Sequence, residues 1–209
     1  DRLPFLCNGY SDIYGIEHLR EQVLLTLERL QLNQLDLLYL HWPIRKTHNF
    51  GKGVSSDPNF IYDKKFDSHS INSYIENIFQ LYNEGLIKNI GVSNETPYGI
   101  LKFLQTMRNF RYNGKLFLQN PINLLSPGFV LSLQEICFRE KICVQAHSPL
   151  AFGSLSEYKI NQIKGNYKFD KLSRSFVYKD YFTRYNSERS NHFLIELDKM
   201  ASKKDINIY

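Results

Sequence analysis

Apolar and polar positions recur with two different periods along the chain, and each change of period marks an element. Over residues 16–31, Leu19, Val23, Leu27 and Leu30 follow one another at helical spacing, which gathers them into one stripe on a helix. The nearly continuous apolar run from Leu35 to Leu40 predicts a strand covered on both faces, as in a parallel sheet. Ser70 is placed to cap a helix carrying Ile71, Tyr74, Ile75, Ile78 and Tyr82, and Gly85 to end it in the left-handed conformation. A strand follows from Leu86 to Val92. Thr96 and Pro97 form a cap and a first-turn proline for a helix running to about Arg108, before a short strand over 116–119. Ser126 and Pro127 open a helix with Val130, Leu133 and Cys137 on one side, and 142–146 reads as another strand. No clear period runs from Leu150 to about Asn186. Ser187 then starts a last helix through Phe193, Leu197 and Met200.

Strands that alternate with helices at short spacing are the mark of repeated β-α units on a parallel sheet. Such units build either a (β/α) barrel or a doubly wound sheet, and in both the ligands gather beyond the carboxyl ends of the strands. The strand ends here deliver His41, then Ser93 and Asn94, then Gln119 and Asn120, then His147 and Ser148. That recurrence carries more weight than any one residue.

Composition narrows the picture. A chain of 209 residues with 43% hydrophobic and 22% charged content suits one globular domain with a substantial core. No apolar run approaches the ~20 residues that cross a bilayer, so the reading is a soluble chain without a membrane partner. It begins at Asp1, which marks a processed chain or a fragment. The three cysteines, Cys7, Cys137 and Cys143, include no CxxC pair, which argues against a disulfide framework and a zinc site and for reduced thiols in the cytoplasm. His18, His48, His69 and His192 show no ligand spacing, so no metal is expected. The net charge of +5 would draw a phosphorylated ligand without requiring nucleic acid. Basic and aromatic residues interleave over 159–184. A stacking surface for single strands is one reading of them, but no nucleic-acid module surrounds it, and a loop closing over a cofactor is favoured.

Four stretches carry a resemblance: "LDLLYLHWP" (35–43), "LIKNIGVSNETPYGILKFLQ" (86–105), "LQNPINLL" (118–125) and "AHSPLAFGSL" (146–155). They occur in the order and approximate spacing found in aldo-keto reductases, and the chain resembles that family over nearly its whole length. The resemblance implies a (β/α)8 TIM barrel that binds NADPH across its top and reduces an aldehyde or ketone by hydride transfer. His41 matches the histidine that orients the carbonyl, an apt group because its N–H can donate to an oxygen on which negative charge develops. Trp42 would form part of the substrate wall. Ser93, Asn94 and Gln119 match the positions that hold the nicotinamide carboxamide, which needs both donors and acceptors. Ser148, Pro149, Leu150, Phe152, Gly153 and Leu155 follow the loop that cradles the pyrophosphate, and Arg184 is a candidate phosphate contact.

The chain also departs from the family pattern. Relatives usually place Tyr or Trp at the position of His147, where the ring stacks on the nicotinamide. Histidine stacks with less area, so His147→Tyr is expected to tighten the cofactor. The glycine and lysine often found after the pyrophosphate loop are replaced by Glu157 and Tyr158, with Lys159 left to compensate. In the family, three β-α units carrying the proton-donating tyrosine, its lysine and its aspartate precede the stretch that begins at Leu35, and a closing unit that reads the adenosine 2′-phosphate follows. This chain has room for only the last helix of the former, and Tyr10 and Tyr14 do not qualify as the acid. The expectation is therefore one partial barrel domain over 1–209, with about four parallel strands, inactive alone, and with inward side chains such as Leu38 and Leu40 stripped of partners. A non-catalytic cofactor-binding subunit is the alternative. Neither the substrate nor the oligomeric state is written in these motifs.

Overall fold

The computed structural model describes residues 16–41, 43–45, 47, 68–167, 177 and 185–206. Tyr10, Tyr14, Trp42, His48 and Arg184 lie outside the described residues. The first helix, α1 (Ile16–Leu30), faces the core with Val23 and Leu27 and leaves Leu30 exposed. Strand β1 is confined to Leu38–Leu40, with Leu35 making only an isolated bridge to Ile87. All three β1 residues are half-buried, so the expectation of a strand covered on both faces is not met. Helix α2 (Ser68–Asn83) begins before Ser70, which therefore lies inside it and is not its cap. Gly85 ends the turn with φ +75°, the left-handed geometry that glycine enters without a Cβ penalty.

Strand β2 (Ile90–Ser93) is fully buried. Helix α3 (Pro97–Asn109) starts as the sequence implies: the Thr96 hydroxyl accepts from the Gly99 N–H at 3.4 Å, and Pro97 occupies the first turn. Strand β3 (Leu116–Pro121) alternates buried and half-buried residues. The single helix expected after Pro127 is two short ones, α4 (Gly128–Ser132) and α5 (Gln134–Arg139), broken at Leu133, where φ is −120°. Across that break Leu133 and Cys137 stay buried while Val130 turns out to solvent, 56% exposed. Burial pushes the Cys137 thiol up to about 11, so it stays protonated. Strand β4 (Cys143–His147) follows, then a one-turn 3₁₀ segment at Ala151–Gly153 and a helix α6 (Glu157–Ile163) that no apolar period announced. The last helix, α7 (Glu188–Lys203), opens with a reciprocal cap between Ser187 and Ser190. It buries Leu194 and Ala201 instead of Phe193 and Met200, both of which are exposed.

The sheet order is β1-β2-β3-β4, every pair parallel, with Leu38 opposite Ile90, Ile90 opposite Leu116, and Phe117 opposite Cys143. Paired residues of a parallel sheet share a face. Leu38, Leu40, Ile90, Val92, Leu116 and Leu118 pack with α1, α2, α3 and α5 into one core. Leu38 and Leu40 thus face the helices, which corrects the expectation that they point inward. With strands paired in chain order and this core on one face, the architecture is that of barrel-type units and not of a doubly wound sheet.

The opposite face carries Tyr39, Gly91, Phe117 and Cys143 in one row. The Tyr39 ring lies over Gly91, where any Cβ would collide with it, and its hydroxyl donates to Gln145 Oε1 at 2.5 Å. Three strand spacings of about 4.8 Å separate β1 from β4. Two side chains rising from a flat sheet would not bridge that gap, so the sheet curls toward this face. A smaller second core joins Leu155, Ile160, Tyr185 and Leu194 beneath the 3₁₀ turn and between α6 and α7.

Candidate functional site

Each strand ends by presenting polar groups on the same side of the sheet. In a parallel sheet the last carbonyls and N–H groups run out of ladder partners, so side chains at these positions bond to one another or to a ligand. His41 follows β1 and is exposed. Ser93 and Asn94, at the end of β2, are 3% and 4% exposed. Gln119 lies within β3, and His147 closes β4.

Hydrogen bonds tie all four strand ends together. Asn94 turns into the left-handed region (φ 56°), which asparagine tolerates better than most residues. From there its Nδ2 donates to the His41 carbonyl at 3.3 Å and to Ser93 Oγ at 3.1 Å. The Ser93 hydroxyl donates to the Gln119 carbonyl at 3.1 Å, with Gln119 Oε1 at 3.4 Å, and the Asn94 N–H donates to the same carbonyl at 2.9 Å. Asn94 Oδ1 stands 3.1 Å from His147 Nε2, and His147 Nδ1 stands 3.1 Å from Ser148 Oγ.

These contacts favour one tautomer of a neutral imidazole. A backbone carbonyl only accepts, so the atom of Asn94 facing His41 is its NH₂, and the atom facing His147 is its carbonyl oxygen. Nε2 of His147 is thereby matched as the donor to Asn94, and in the neutral ring Nδ1 is left to accept from the Ser148 hydroxyl. Both nitrogens are engaged, a feature that the smaller stacking area of histidine gave no reason to expect.

Behind this network lies an ion pair that sequence reasoning missed. Glu95, 3% exposed, accepts from Arg45 at both carboxylate oxygens, at 2.7 and 3.0 Å. The same guanidinium donates to Thr96 Oγ1 at 2.8 Å and lies 5.7 Å from the centre of the Tyr98 ring. Asn120 holds the Glu95 backbone from both sides, accepting from its N–H at 3.1 Å and donating to its carbonyl at 3.0 Å. The only sequence signal was a charged residue directly after two polar ones, and charged residues in loops are normally solvated.

The loop after β4 takes its shape from backbone geometry. Ser148, Ala151, Phe152 and Gly153 all have positive φ, and Asn123 anchors the loop by donating to the Ser148 carbonyl at 3.1 Å. Leu150 stands exposed, whereas Leu155 is buried in the second core and Phe152 packs against Tyr185 at 6.4 Å between ring centres. The Leu155 side chain is thus turned into the core and leaves only its backbone on the loop. Ser156 caps α6, and Glu157 sits in that helix's first turn, where a negative charge complements the helix dipole. That gives the acidic residue a structural reason. Lys159 is half-buried, and burial holds its ammonium below the usual lysine range.

The site is suited to a flat amide-bearing ring. A hydroxyl, two side-chain amides and an imidazole converge, and together they supply donors and acceptors with a planar face. Among the described residues no three His, Cys, Asp or Glu side chains gather as a metal ion requires, and no helix is long and apolar enough to cross a membrane.

The comparisons agree with this geometry. At the level of fold, the chain superposes on a glycerol dehydrogenase from Gluconobacter oxydans with a TM-score of 0.59 at 22% identity, covering 93% of this chain and 50% of that one. In sequence it is 30% identical over 174 residues to Protein tas of Escherichia coli (strain K12), covering 83% of this chain and 47% of that protein. It is 25% identical over 152 residues to the glycerol 2-dehydrogenase (NADP(+)) of Hypocrea jecorina, covering 70% of this chain and 45% of that protein. The chain thus spans about half the length of the curated relatives it matches. The model of the Aldo/keto reductase family matches residues 8–209, a stretch that includes all four strand ends and the network between them, and the chain belongs to that family.

Proposed function

We propose that this chain is the part of an NADPH-dependent oxidoreductase that seats the nicotinamide and orients a small carbonyl substrate, an aldehyde or a ketone, for reduction to an alcohol. The observation that carries this reading is the hydrogen-bonded network through Ser93, Asn94, Gln119 and His147, with His41 at its edge. The NADP(+) in the name of the Hypocrea jecorina relative favours NADPH over NADH.

The cofactor, when bound, supplies a hydride. Ser93, Asn94 and Gln119 hold the carboxamide by exchanging bonds they now make to one another, so little polar surface is stranded when the ligand leaves. His147 offers a ring face whose tilt is fixed by Asn94 and Ser148. The loop from Ser148 through Pro149, Leu150, Phe152 and Gly153 to the Leu155 backbone supports the phosphates, with Arg184 as an added cation. His41 donates an N–H to the carbonyl oxygen and so stabilises the negative charge that grows there, and Trp42 walls the substrate. Tyr39 is not the proton donor. Its hydroxyl proton is committed to Gln145 Oε1 on the last strand of the sheet.

In the complete protein His41→Ala is expected to lower turnover of a reactive aldehyde by about ten- to a thousandfold, about 1.4–4 kcal/mol of transition-state stabilisation, while NADPH affinity changes little. Steady-state kinetics beside a cofactor titration test this, and unchanged turnover would remove His41 from the mechanism. For His147 the two hydrogen bonds reverse the expectation drawn from ring size. His147→Tyr is expected to weaken NADPH binding about five- to thirtyfold, about 1–2 kcal/mol, because it releases the Asn94 amide. Quenching of protein fluorescence by NADPH measures it, and tighter binding would show that ring area outweighs the network.

A further inference from the structure

Resting on that functional reading, we propose that the Arg45–Glu95 ion pair is a positioning device that holds His41 in register with the Asn94 amide. Arg45 lies on the segment that leaves His41, and Glu95 directly follows Asn94. The pair therefore joins the two strand ends whose side chains must meet one substrate and one ring. Its arms are fixed at several points. Arg45 and Glu95 side chains are 11% and 4% exposed and meet in a two-pronged contact. The Thr96 N–H donates to Glu95 Oε2 at 3.0 Å, and Gly99 leaves open the space the carboxylate fills, since any Cβ there would collide with it. Asn120 pins the Glu95 backbone to β3. On the far side, the Asn94 amide reaches back to the His41 carbonyl. A planar guanidinium sets both distance and angle, whereas an ammonium supplies only charge. Displacement of a reacting group by about 1 Å costs on the order of a hundredfold in rate, so a rigid strut at this point has catalytic leverage without touching substrate.

The test is a set of double-mutant cycles in the complete protein, with NADPH and nitrobenzaldehyde, at a temperature well below the unfolding of every variant. Glu95→Gln keeps the shape and removes the charge, and Arg45→Lys keeps the charge and removes the fork. Each is expected to lower kcat about ten- to a hundredfold. On a His41→Ala background the same substitutions should lower kcat by no more than about twofold, because the group they position is already gone. Losses that multiply in full on that background would make the pair a general structural element and overturn the proposal, as would unchanged kcat in both single variants. Should Glu95→Gln fail to fold, the Arg45→Lys cycle decides by the same criterion. Unchanged turnover in His41→Ala alone would instead sink the functional reading, and this inference with it.

Discussion

Arg45→Ala is expected to destabilise the complete protein by about 3–5 kcal/mol, the range for a buried ion pair that loses one partner. The reason is the group left behind. Glu95 is almost fully enclosed, its backbone is held by Asn120, and its carboxylate is seated in the space that Gly99 leaves, so it stays away from water. An enclosed carboxylate without its cation costs more than the pair ever contributed in net terms. Removing both partners should therefore hurt less than removing one: Arg45→Met combined with Glu95→Gln is expected to unfold at higher denaturant than Arg45→Ala alone. Urea unfolding monitored by circular dichroism gives both midpoints. If the double variant is the less stable of the two, the pair is a net source of stability and the argument from stranded charge is wrong.

The second large effect concerns residues 1–209 expressed alone, which are expected to give neither a cooperatively unfolding monomer nor aldehyde-dependent oxidation of NADPH. Among the described residues β1 and β4 stand at the two margins of the sheet, each with one side of its backbone unpaired. Such edges recruit other chains. Large apolar side chains also stand in solvent, with Phe138 82%, Leu131 81% and Val144 39% exposed. Each large apolar side chain left in water forgoes about 1.5–3 kcal/mol, and several such losses equal a typical domain stability of about 5–15 kcal/mol. Chemistry is expected to fail separately, because the Tyr39 phenol on the curled face already gives its proton to Gln145 Oε1. Size-exclusion chromatography, a thermal melt and an NADPH oxidation assay make the test. A sharp monomeric melt with turnover would contradict both halves of the expectation.

What the sequence made legible was local, and what it hid was the pairing of distant residues. Thr96 and Pro97 announced α3 because a cap and a first-turn proline act within one turn of the chain. The polar residues at the strand ends were legible because strand lengths and helix signals locate those ends without any tertiary knowledge. Val130 misled because helical spacing counts residues along an unbroken axis, and the break at Leu133 resets the face. In α7 Leu194, Leu197 and Ala201 follow one another at helical spacing on the covered side, which leaves Phe193 and Met200 outside. Leu38 and Leu40 were misassigned because an apolar run has no period to say which face is which; the register with Ile90 and Val92 decides it. Arg45 and Glu95 stand 50 positions apart, and His147 and Asn94 stand 53 apart. No local pattern links residues at such separations, which explains why the imidazole was read by its size and not by its bonds.

The brace from Tyr39 to Gln145 has a consequence for assembly. It spans from the first strand of this sheet to the last and depends on one missing methyl group at Gly91. A sheet that owes its curl only to closure flattens when it is open, whereas one braced by its own side chains keeps an arc before any further strand arrives. Segments that extend the sheet would then dock on a template already bent to receive them, and the entropy of bending is spent before they bind, as in any preorganised binder. The same brace makes Gly91→Ala a probe of that template: displacing the ring would leave every ladder bond of β2 in place while letting the arc relax.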